Sequence, residues 1–370
     1  MSIRAVRLLP YSLPLREPWP TAEGTITERH GCVIALEDER GRIGCGDTAP
    51  LAGFGLETIG SSVHALRLAA RRLIGLAPEQ YREAAANLPY LAPVAASPAA
   101  RHAIDLALHD LAAQEAGVPI ARLLGGPGAL AVVPVNAVIP DVEPDRAAEL
   151  AREALAAGIA ALKVKVGGSL AADLARVRAV REAAGADAAI RLDANQGWDE
   201  RTAVEALTAL RVYEIEYVEQ PVPAEAIDVM ARVRRAADVP VAADESLRDA
   251  DGARRVLDRD AADVLIVKPM VLGGLHAARV VCDLARERGA GVVVTAFVES
   301  AVGRTGALHL AASLGATGRA HGLATGTALA RDLAPGPAVA GGAIAVPPGP
   351  GLGVRPDDAA LRDATPVETA

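Results

Sequence analysis

The three lysines of the chain, Lys163, Lys165 and Lys268, all lie in short apolar runs. The chain has 38 Lys and Arg residues, so every other basic residue is Arg. Lys163 and Lys165 are two positions apart in ALKVKVGG and therefore share one face of a predicted strand. Lysine, unlike arginine, loses its proton when it is desolvated or placed near other cations. The pattern indicates sites that need a basic amine; a codon bias against lysine is the alternative explanation.

Three carboxylates occupy comparable places in later runs of the sequence. Asp193 lies 28 residues after Lys165, Glu219 and Asp244 follow after 26 and 25 residues, and Lys268 after a further 24. Carboxylate oxygens without His or Cys suit Mg²⁺ better than zinc. The alternative is that each acid is an isolated cap or salt-bridge partner, but their common register with the lysines favours a magnesium site.

A base beside a divalent cation suits removal of a proton next to a carboxylate, because the cation stabilises the resulting enediolate. A metal ion and a second ammonium group should both lower a lysine pKa toward neutrality. We therefore expect Lys165 to move the proton, Lys163 to tune it and Lys268 to approach from the opposite side of the site.

Eight β-branched runs that alternate with amphipathic, Ala- and Arg-rich segments must position these residues. Successive runs begin 24 to 29 residues apart, about one β-α unit each. They are residues 132–140, 161–166, 189–195, 216–221, 240–246, 264–270, 291–297 and 320–326. Eight even repeats predict an α/β fold, a (β/α)8-type (TIM-like) barrel, rather than a doubly wound open sheet. The lysines and acids then lie near the C-terminal ends of its strands, where barrel enzymes hold their active sites.

The rest of the chain predicts two further regions around the barrel, which we assign to residues 126–330. Residues 1–125 read as an α+β capping domain, with a hairpin that turns at residues 39–41 and two helical stretches after it. Residues 331–370 are rich in Pro and Gly and are expected to pack back on the cap.

Composition limits the partners of the protein. The net charge is −8 and no basic stripe is present, which argues against nucleic acid and favours a small molecule. The chemistry expected of the lysines and acids makes that partner a small-molecule carboxylate. The N-terminus has no signal-like apolar region and no uncharged run reaches membrane-helix length, so we expect a cytoplasmic protein without a membrane contact. The three cysteines lack C-x-x-C spacing and are expected to be reduced thiols. A homo-oligomer is possible.

Five motifs in order, KVKVG, RLDANQGW, YVEQP, ADES and IVKP, resemble the enolase superfamily, specifically its muconate-lactonising subgroup. The resemblance covers essentially the whole chain. It implies that Asp193, Glu219 and Asp244 bind Mg²⁺, while Lys165 takes a proton next to a carboxylate and Lys268 stabilises the enediolate. The mandelate-racemase branch would need a His/Asp pair on later strands, which is not found. His321 is expected to be structural.

Within the subgroup, PLAGFGLET, ADESLRDA and ESAVG look like the o-succinylbenzoate synthase group, syn-dehydratases of menaquinone biosynthesis. That likeness implies that Lys165 also protonates the leaving hydroxyl. It also makes Leu51, Phe54 and Gly55 cap-loop residues that cover the substrate. Three further residues are predicted near the substrate from their positions in the sequence: Asn195, Glu299 and Ser300. A structural turn explains the sequence LAGFG equally well, and strand capping explains Glu299 and Ser300. Asn195 would support the metal shell.

Other functions stay open on the same site. An N-succinylamino acid racemase, a dipeptide epimerase and a muconate-type cycloisomerase would share its lysines and acids. The eighth run reads GLATGT and lacks the D-x-D pair with which dipeptide epimerases hold a substrate amine, which lowers that alternative. A non-catalytic binder that kept the barrel is a further alternative, but it has no reason to keep a pair of basic amines.

Overall fold

The computed structural model describes residues 2–21, 24–52, 55–363 and 365–367, so the predicted substrate residue Phe54 lies outside the described residues. The cap begins with three antiparallel strands, β1 (Ile3–Thr21), β2 (Gly24–Asp38) and β3 (Ile43–Thr48). Four helices follow: α1 (Ile59–Leu73), α2 (Tyr81–Asn87), α3 (Pro98–Ala116) and α4 (Ile120–Gly125). The hairpin between β2 and β3 confirms the turn predicted at residues 39–41.

Glycines on β3 allow helix α3 to pack directly on the sheet. A Cβ atom at Gly46 would lie 1.8 Å from the carbonyl oxygen of Ala103, and one at Gly44 would lie 2.4 Å from that of Ala107. Both approaches are shorter than van der Waals contact, so only glycine fits. The helix thereby closes a second apolar core inside the cap, separate from the core around the barrel.

The central part of the chain forms the predicted barrel. After β4 (Val132–Pro134), seven parallel strands pair in chain order: β5 (Asn136–Ile139), β6 (Ala161–Lys165), β7 (Ala189–Asp193), β8 (Ile215–Glu219), β9 (Val241–Ala243), β10 (Val264–Val267) and β11 (Gly291–Val294). The helices are α5 (Pro144–Ala156), α6 (Leu170–Ala184), α7 (Glu200–Leu210), α8 (Ile227–Ala236), α9 (Ala250–Asp258), α10 (Pro269–Leu272), α11 (Leu275–Glu287) and α12 (Ala301–Ser313).

A pair of residues replaces the eighth strand. His321 forms a parallel bridge with Val135, and Gly322 forms one with Thr295, so these two residues join the first and seventh strands. The rest of the predicted run is not extended, because residues 324–328 form a 3-10 helix. His321 also accepts a hydrogen bond from the backbone N–H of Val294 at 2.9 Å through Nδ1 and is 1% exposed, which confirms its structural role.

The first predicted run is divided between two sheets. Its residues in β4 pair with β13 (Ala343–Ala345), which also pairs with β12 (Val339–Ala340), and only β5 enters the barrel. After α13 (Asp358–Asp363), strand β14 (Thr365–Pro366) pairs with β1 of the cap. The C-terminal segment therefore contacts both the barrel and the cap, and the predicted boundary at residue 331 stays a prediction.

The described residues include no helix long and apolar enough to cross a membrane. The three cysteines are buried and free, as expected from their spacing.

Candidate active site

Strand register brings the predicted lysines and acids to one end of the barrel. Lys165 is paired in register with Asp193, and Asp193 with Glu219, so the last residues of three neighbouring strands lie at one level. Asp244 and Lys268 each follow directly after the last residue of their strands, β9 and β10. The parallel strands therefore deliver all five side chains to their C-terminal ends, as their spacing predicts.

The ammonium groups lie among the carboxylates. Lys163 Nζ is 2.9 Å from Asp193 Oδ2 and 3.1 Å from Glu219 Oε1. Lys165 Nζ donates to the same Asp193 oxygen at 2.7 Å and also contacts Asn195 Oδ1. On the other side of the barrel, Lys268 Nζ is 2.5 Å from Asp244 Oδ2. The contacts thus form two groups at one end of the barrel: Lys163 and Lys165 with Asp193 and Glu219, and Lys268 with Asp244.

The lowering of the lysine pKa values that is expected beside a bound cation stays a prediction. Burial lowers the pKa of Lys163, but the charges of Asp193 and Glu219 outweigh burial and raise it well above 10.5. Burial lowers the pKa of Lys268 as well, but the charges of Asp244, Glu219 and Glu245 together outweigh burial and raise it. The expectation rested on repulsion by a metal ion and a second ammonium group, whereas these contacts place carboxylates next to the ammonium groups.

The pKa values of the three carboxylates are also shifted by burial and by neighbouring charges. Burial, and after it the charge of Asp193, raise the pKa of Glu219 to about 7. Burial also raises the pKa of Asp244, against the charge of Lys268. For Asp193 burial alone would raise the pKa, but Lys163 and Lys165 lower it below the usual range. Three acids that are 1 to 4% exposed therefore need positive charge close by.

The donor set fits a hard divalent cation in its chemistry. All three side chains offer buried oxygen atoms, and Glu245 beside Asp244 has a buried Oε2 without a hydrogen-bond partner. Across the part of the chain that the structure describes, no group of three or more His, Cys, Asp or Glu side chains is drawn together to hold an ion. Lys163 lies between Asp193 and Glu219, so ion binding would exchange a lysine contact for a metal contact.

Sequence reasoning missed Gln220, which supports the acids from behind. Gln220 is fully buried at a φ of 37°. Its side-chain oxygen accepts from the backbone N–H groups of Asp244 at 3.0 Å and Ser246 at 3.2 Å. A single side chain thereby fixes the strand end that carries Asp244. The only available signal was its place directly after Glu219 in YVEQP.

Apolar side chains of the cap and the barrel pack together next to Lys268. Leu51, Met270 and Phe297 belong to one buried cluster that joins the cap to the barrel. Lys268 Nζ lies 5.8 Å from the centre of the Phe297 ring. Of the predicted loop residues, Leu51 therefore lies in a cluster next to a site lysine. Gly55, at a φ of +74°, accepts a hydrogen bond from Arg248 through its carbonyl at 3.1 Å.

Glu299 and Ser300 are buried at the junction of the barrel with the cap. Ser300 Oγ donates to Asp47 Oδ2 at 2.7 Å, and the Ser300 side chain also accepts from the backbone N–H of Val302 as the N-cap of α12. Glu299 Oε2 accepts from the backbone N–H of Phe297, and burial raises the pKa of Glu299 to about 7. These contacts are structural, so a substrate contact for either residue stays a prediction.

Arg191 lies one layer below the acids, inside the barrel. Its guanidinium is 2.7 Å from Glu216, donates to the carbonyl of Ala320 at 2.8 Å and lies 5.0 Å from the Tyr217 ring centre. Lys163 is paired in register with Arg191, and Arg191 with Tyr217, so this layer forms a polar floor under the site.

Comparison with known proteins matches both parts of the chain. A family model described as "Mandelate racemase / muconate lactonizing enzyme, N-terminal domain" matches residues 3–125. A second, described as "Enolase C-terminal domain-like", matches residues 146–360. Among solved structures, a dipeptide epimerase from Enterococcus faecalis complexed with Mg and L-Leu-L-Tyr superposes with a TM-score of 0.89 at 32% identity, covering 95% of this chain and 99% of its own.

Relatives with several activities align with the chain. A hydrophobic dipeptide epimerase from Enterococcus faecalis is 35% identical and covers 85% of this chain and 88% of its own length. An N-succinyl-L-Arg/Lys racemase from Bacillus cereus is 33% identical over 85% of each chain. An o-succinylbenzoate synthase from Thermobifida fusca is 45% identical, over 55% of this chain and 63% of its own. Identity is thus higher to the synthase and coverage is higher to the epimerase and the racemase.

Proposed function

The chain belongs to the enolase superfamily of enzymes, and we propose that within it the protein is a Mg²⁺-dependent dehydratase. Its reaction would be the loss of water from a cyclohexadiene carboxylate to form o-succinylbenzoate, a step in menaquinone biosynthesis. The motifs in the cap loop and after strands β9 and β11 support this choice, and so does the local identity of 45% to the Thermobifida fusca synthase.

The character of the barrel mouth carries the proposal. The Phe297 ring lies beside Lys268 and shares a buried apolar cluster with Leu51 and Met270, which suits a carbocyclic ring. The eighth-strand segment, residues 321–329, has no acidic side chain that could pair with a substrate ammonium group. An apolar wall without a counter-ion favours a ring with carboxylate groups over a dipeptide, because an unpaired buried ammonium is costly.

Lys165 and Lys268 would have different roles in the reaction. Neutral Lys165 would take the proton next to the substrate carboxylate, and the resulting ammonium would return a proton to the leaving hydroxyl on the same face, so that water departs. Lys268 enters from the opposite side of the barrel and would stabilise the negative charge on the carboxylate as an ammonium group. Lys163, in contact with Asp193 and Glu219, would control the charge around Lys165.

Asp193, Glu219 and Asp244 would hold Mg²⁺, with Asn195 and Gln220 supporting them. When bound, the cation supplies charge stabilisation to the substrate carboxylate. Three solved neighbours are complexes with Mg, which supports the choice of ion. Small-molecule dipeptides in the same neighbours support a small-molecule carboxylate as the partner.

Racemisation or epimerisation is the second candidate, because relatives with those activities cover 85% of the chain. Both of these reactions and dehydration begin with the same proton removal. The second step separates them, because a racemase returns the proton from the opposite face and needs Lys165 and Lys268 in turn. A muconate-type cycloisomerase would use the same groups.

Lysine variants separate the two candidates. In a dehydratase both Lys165→Ala and Lys268→Ala lose turnover of the cyclohexadiene substrate, measured by the change in ultraviolet absorbance. In a racemase each variant loses proton exchange with one enantiomer of an N-succinylamino acid and keeps it with the other, measured by NMR in deuterated buffer. Enantiomer-specific exchange without dehydration would replace the proposal with the second candidate.

A further inference from the structure

Arg29 of strand β2 joins the cap to the mouth of the barrel. The residue is 2% exposed. Nε donates to the carbonyl of Val298 at 3.1 Å, Nη1 donates to that of Pro50 at 3.4 Å, and Nη2 donates to that of Ala49. One guanidinium therefore holds three backbone carbonyls from two segments that are about 250 residues apart in the chain.

Both segments continue directly into the apolar wall beside Lys268. Leu51 follows the Ala49–Pro50 segment, and Phe297 precedes Val298. Leu51 and Phe297 share one buried cluster, and the Phe297 ring is the aromatic face near Lys268 Nζ. The position of this wall relative to Lys268 thus depends on two loops that meet at Arg29.

The backbone on the barrel side needs such support. Val298 has a φ of 58°, an unfavourable value for a β-branched residue. Its carbonyl is the group that Arg29 Nε binds. Burial lowers the pKa of the Arg29 guanidinium, while Tyr11, Glu299 and Asp47 favour its charged form. A planar fork with five fixed donors meets this geometry, whereas lysine offers a single point charge.

We propose that Arg29 is a positioning residue that sets the apolar wall of Leu51 and Phe297 against Lys268, and so determines how a ring substrate is seated. The kinetic part rests on the proposed function; the structural part does not. Among the described residues, the hydrogen bonds of the Arg29 guanidinium go to three backbone carbonyls, so its effect on the site is transmitted through the two loops.

The structural part is tested by hydrogen–deuterium exchange of Arg29→Ala. We expect faster exchange in peptides that cover residues 48–52 and 296–300, with the cap helices unchanged. The matched control is Arg181→Ala, because Arg181 also binds backbone carbonyls, those of Tyr213 at 2.9 Å and Ala188 at 2.8 Å, away from the C-terminal strand ends. That control should open its own loops and leave both mouth segments protected. Unchanged exchange at the mouth in Arg29→Ala, or uniform opening of the whole protein, would overturn the proposal.

The kinetic part is tested on the dehydration reaction. Arg29→Ala should lower kcat/KM about 10- to 100-fold, the effect of misplacing a reacting group by about 1 Å, while Arg181→Ala keeps wild-type values. Guanidine at low millimolar concentration should restore part of the activity that Arg29→Ala loses. Arg29→Lys should have a kcat/KM below that of the wild type. A purely stabilising role predicts no rescue, because guanidine only weakens a destabilised fold.

The experiments distinguish a failure of the proposed function from a failure of the role proposed for Arg29. If the wild-type enzyme does not dehydrate the cyclohexadiene but the exchange pattern is as expected, the proposed function fails and the role of Arg29 in seating the wall stands. If dehydration proceeds and Arg29→Ala is as active as the wild type, the positioning role fails and the proposed function stands.

Discussion

Replacement of Lys163 by Met tests the charge balance of the site. Lys163 contacts Asp193 and Glu219, and the three side chains are 18%, 1% and 3% exposed. Methionine fills a similar volume but leaves two buried carboxylates without this ammonium group. Removing one partner of a buried ion pair costs about 3–5 kcal/mol. At about 2 °C per kcal/mol, typical of larger domains, Tm should fall by about 6–10 °C.

The assay is thermal unfolding at pH 7.5, with EDTA and again with saturating Mg²⁺. On the proposed ligand set, Mg²⁺ should restore a large part of the lost Tm in Lys163→Met, because the cation supplies the missing positive charge. The matched control is Arg146→Met, which also removes contacts with two carboxylates, Glu149 and Glu153, each at 3.0 Å. Those partners are about half exposed, so Tm should change little. A Lys163→Met variant as stable as the wild type in EDTA, or one that Mg²⁺ does not help, would refute the reasoning.

Three further predictions concern the site and its supports. Lys165→Ala should lower turnover at least about 100-fold through loss of the base, with Tm within a few degrees of the wild type; activity retained within tenfold would remove Lys165 from its role. Burial raises the pKa of Asp47 to about 6. Between about pH 4 and 6 the folded state therefore binds a proton that the unfolded state lacks, and stability falls as pH rises through that window. In Asp47→Asn the slope of Tm against pH should be smaller in this window, and an unchanged slope would contradict the prediction. Gly55→Ala should raise KM, because its φ is +74° and the new Cβ would lie 2.4 Å from Arg248 Nη1; an unchanged KM would show that this contact does not shape the mouth.

The sequence predicts the barrel well because its signal is repeated. Each strand is a short β-branched run at an even spacing, and residues at strand ends meet wherever parallel strands close into a barrel. The five charged residues from Lys165 to Lys268 could therefore be placed at one end of the barrel before any contact was known. For the residues at the C-terminal strand ends, spacing in the sequence alone was sufficient to predict their position.

Other features depend on contacts that no local pattern encodes. The first run is divided because Val132–Pro134 pairs with a strand some 210 residues later, and the eighth strand is reduced to His321 and Gly322. The direction of the Lys163 pKa depended on which charges are nearest in space. Arg29 gave no signal, because its partners come from loops that are joined only in the folded chain.

The central claim is tested most directly by one comparison of substrates. Purified enzyme with Mg²⁺ is given the cyclohexadiene precursor of o-succinylbenzoate, monitored by ultraviolet absorbance, and in parallel a panel of N-succinylamino acids and dipeptides, monitored by deuterium exchange. We predict a kcat/KM for dehydration that exceeds the kcat/KM for exchange with every other substrate by at least about tenfold, and that is lost with EDTA. Rapid metal-dependent exchange with no dehydration would contradict the account and identify a racemase or epimerase.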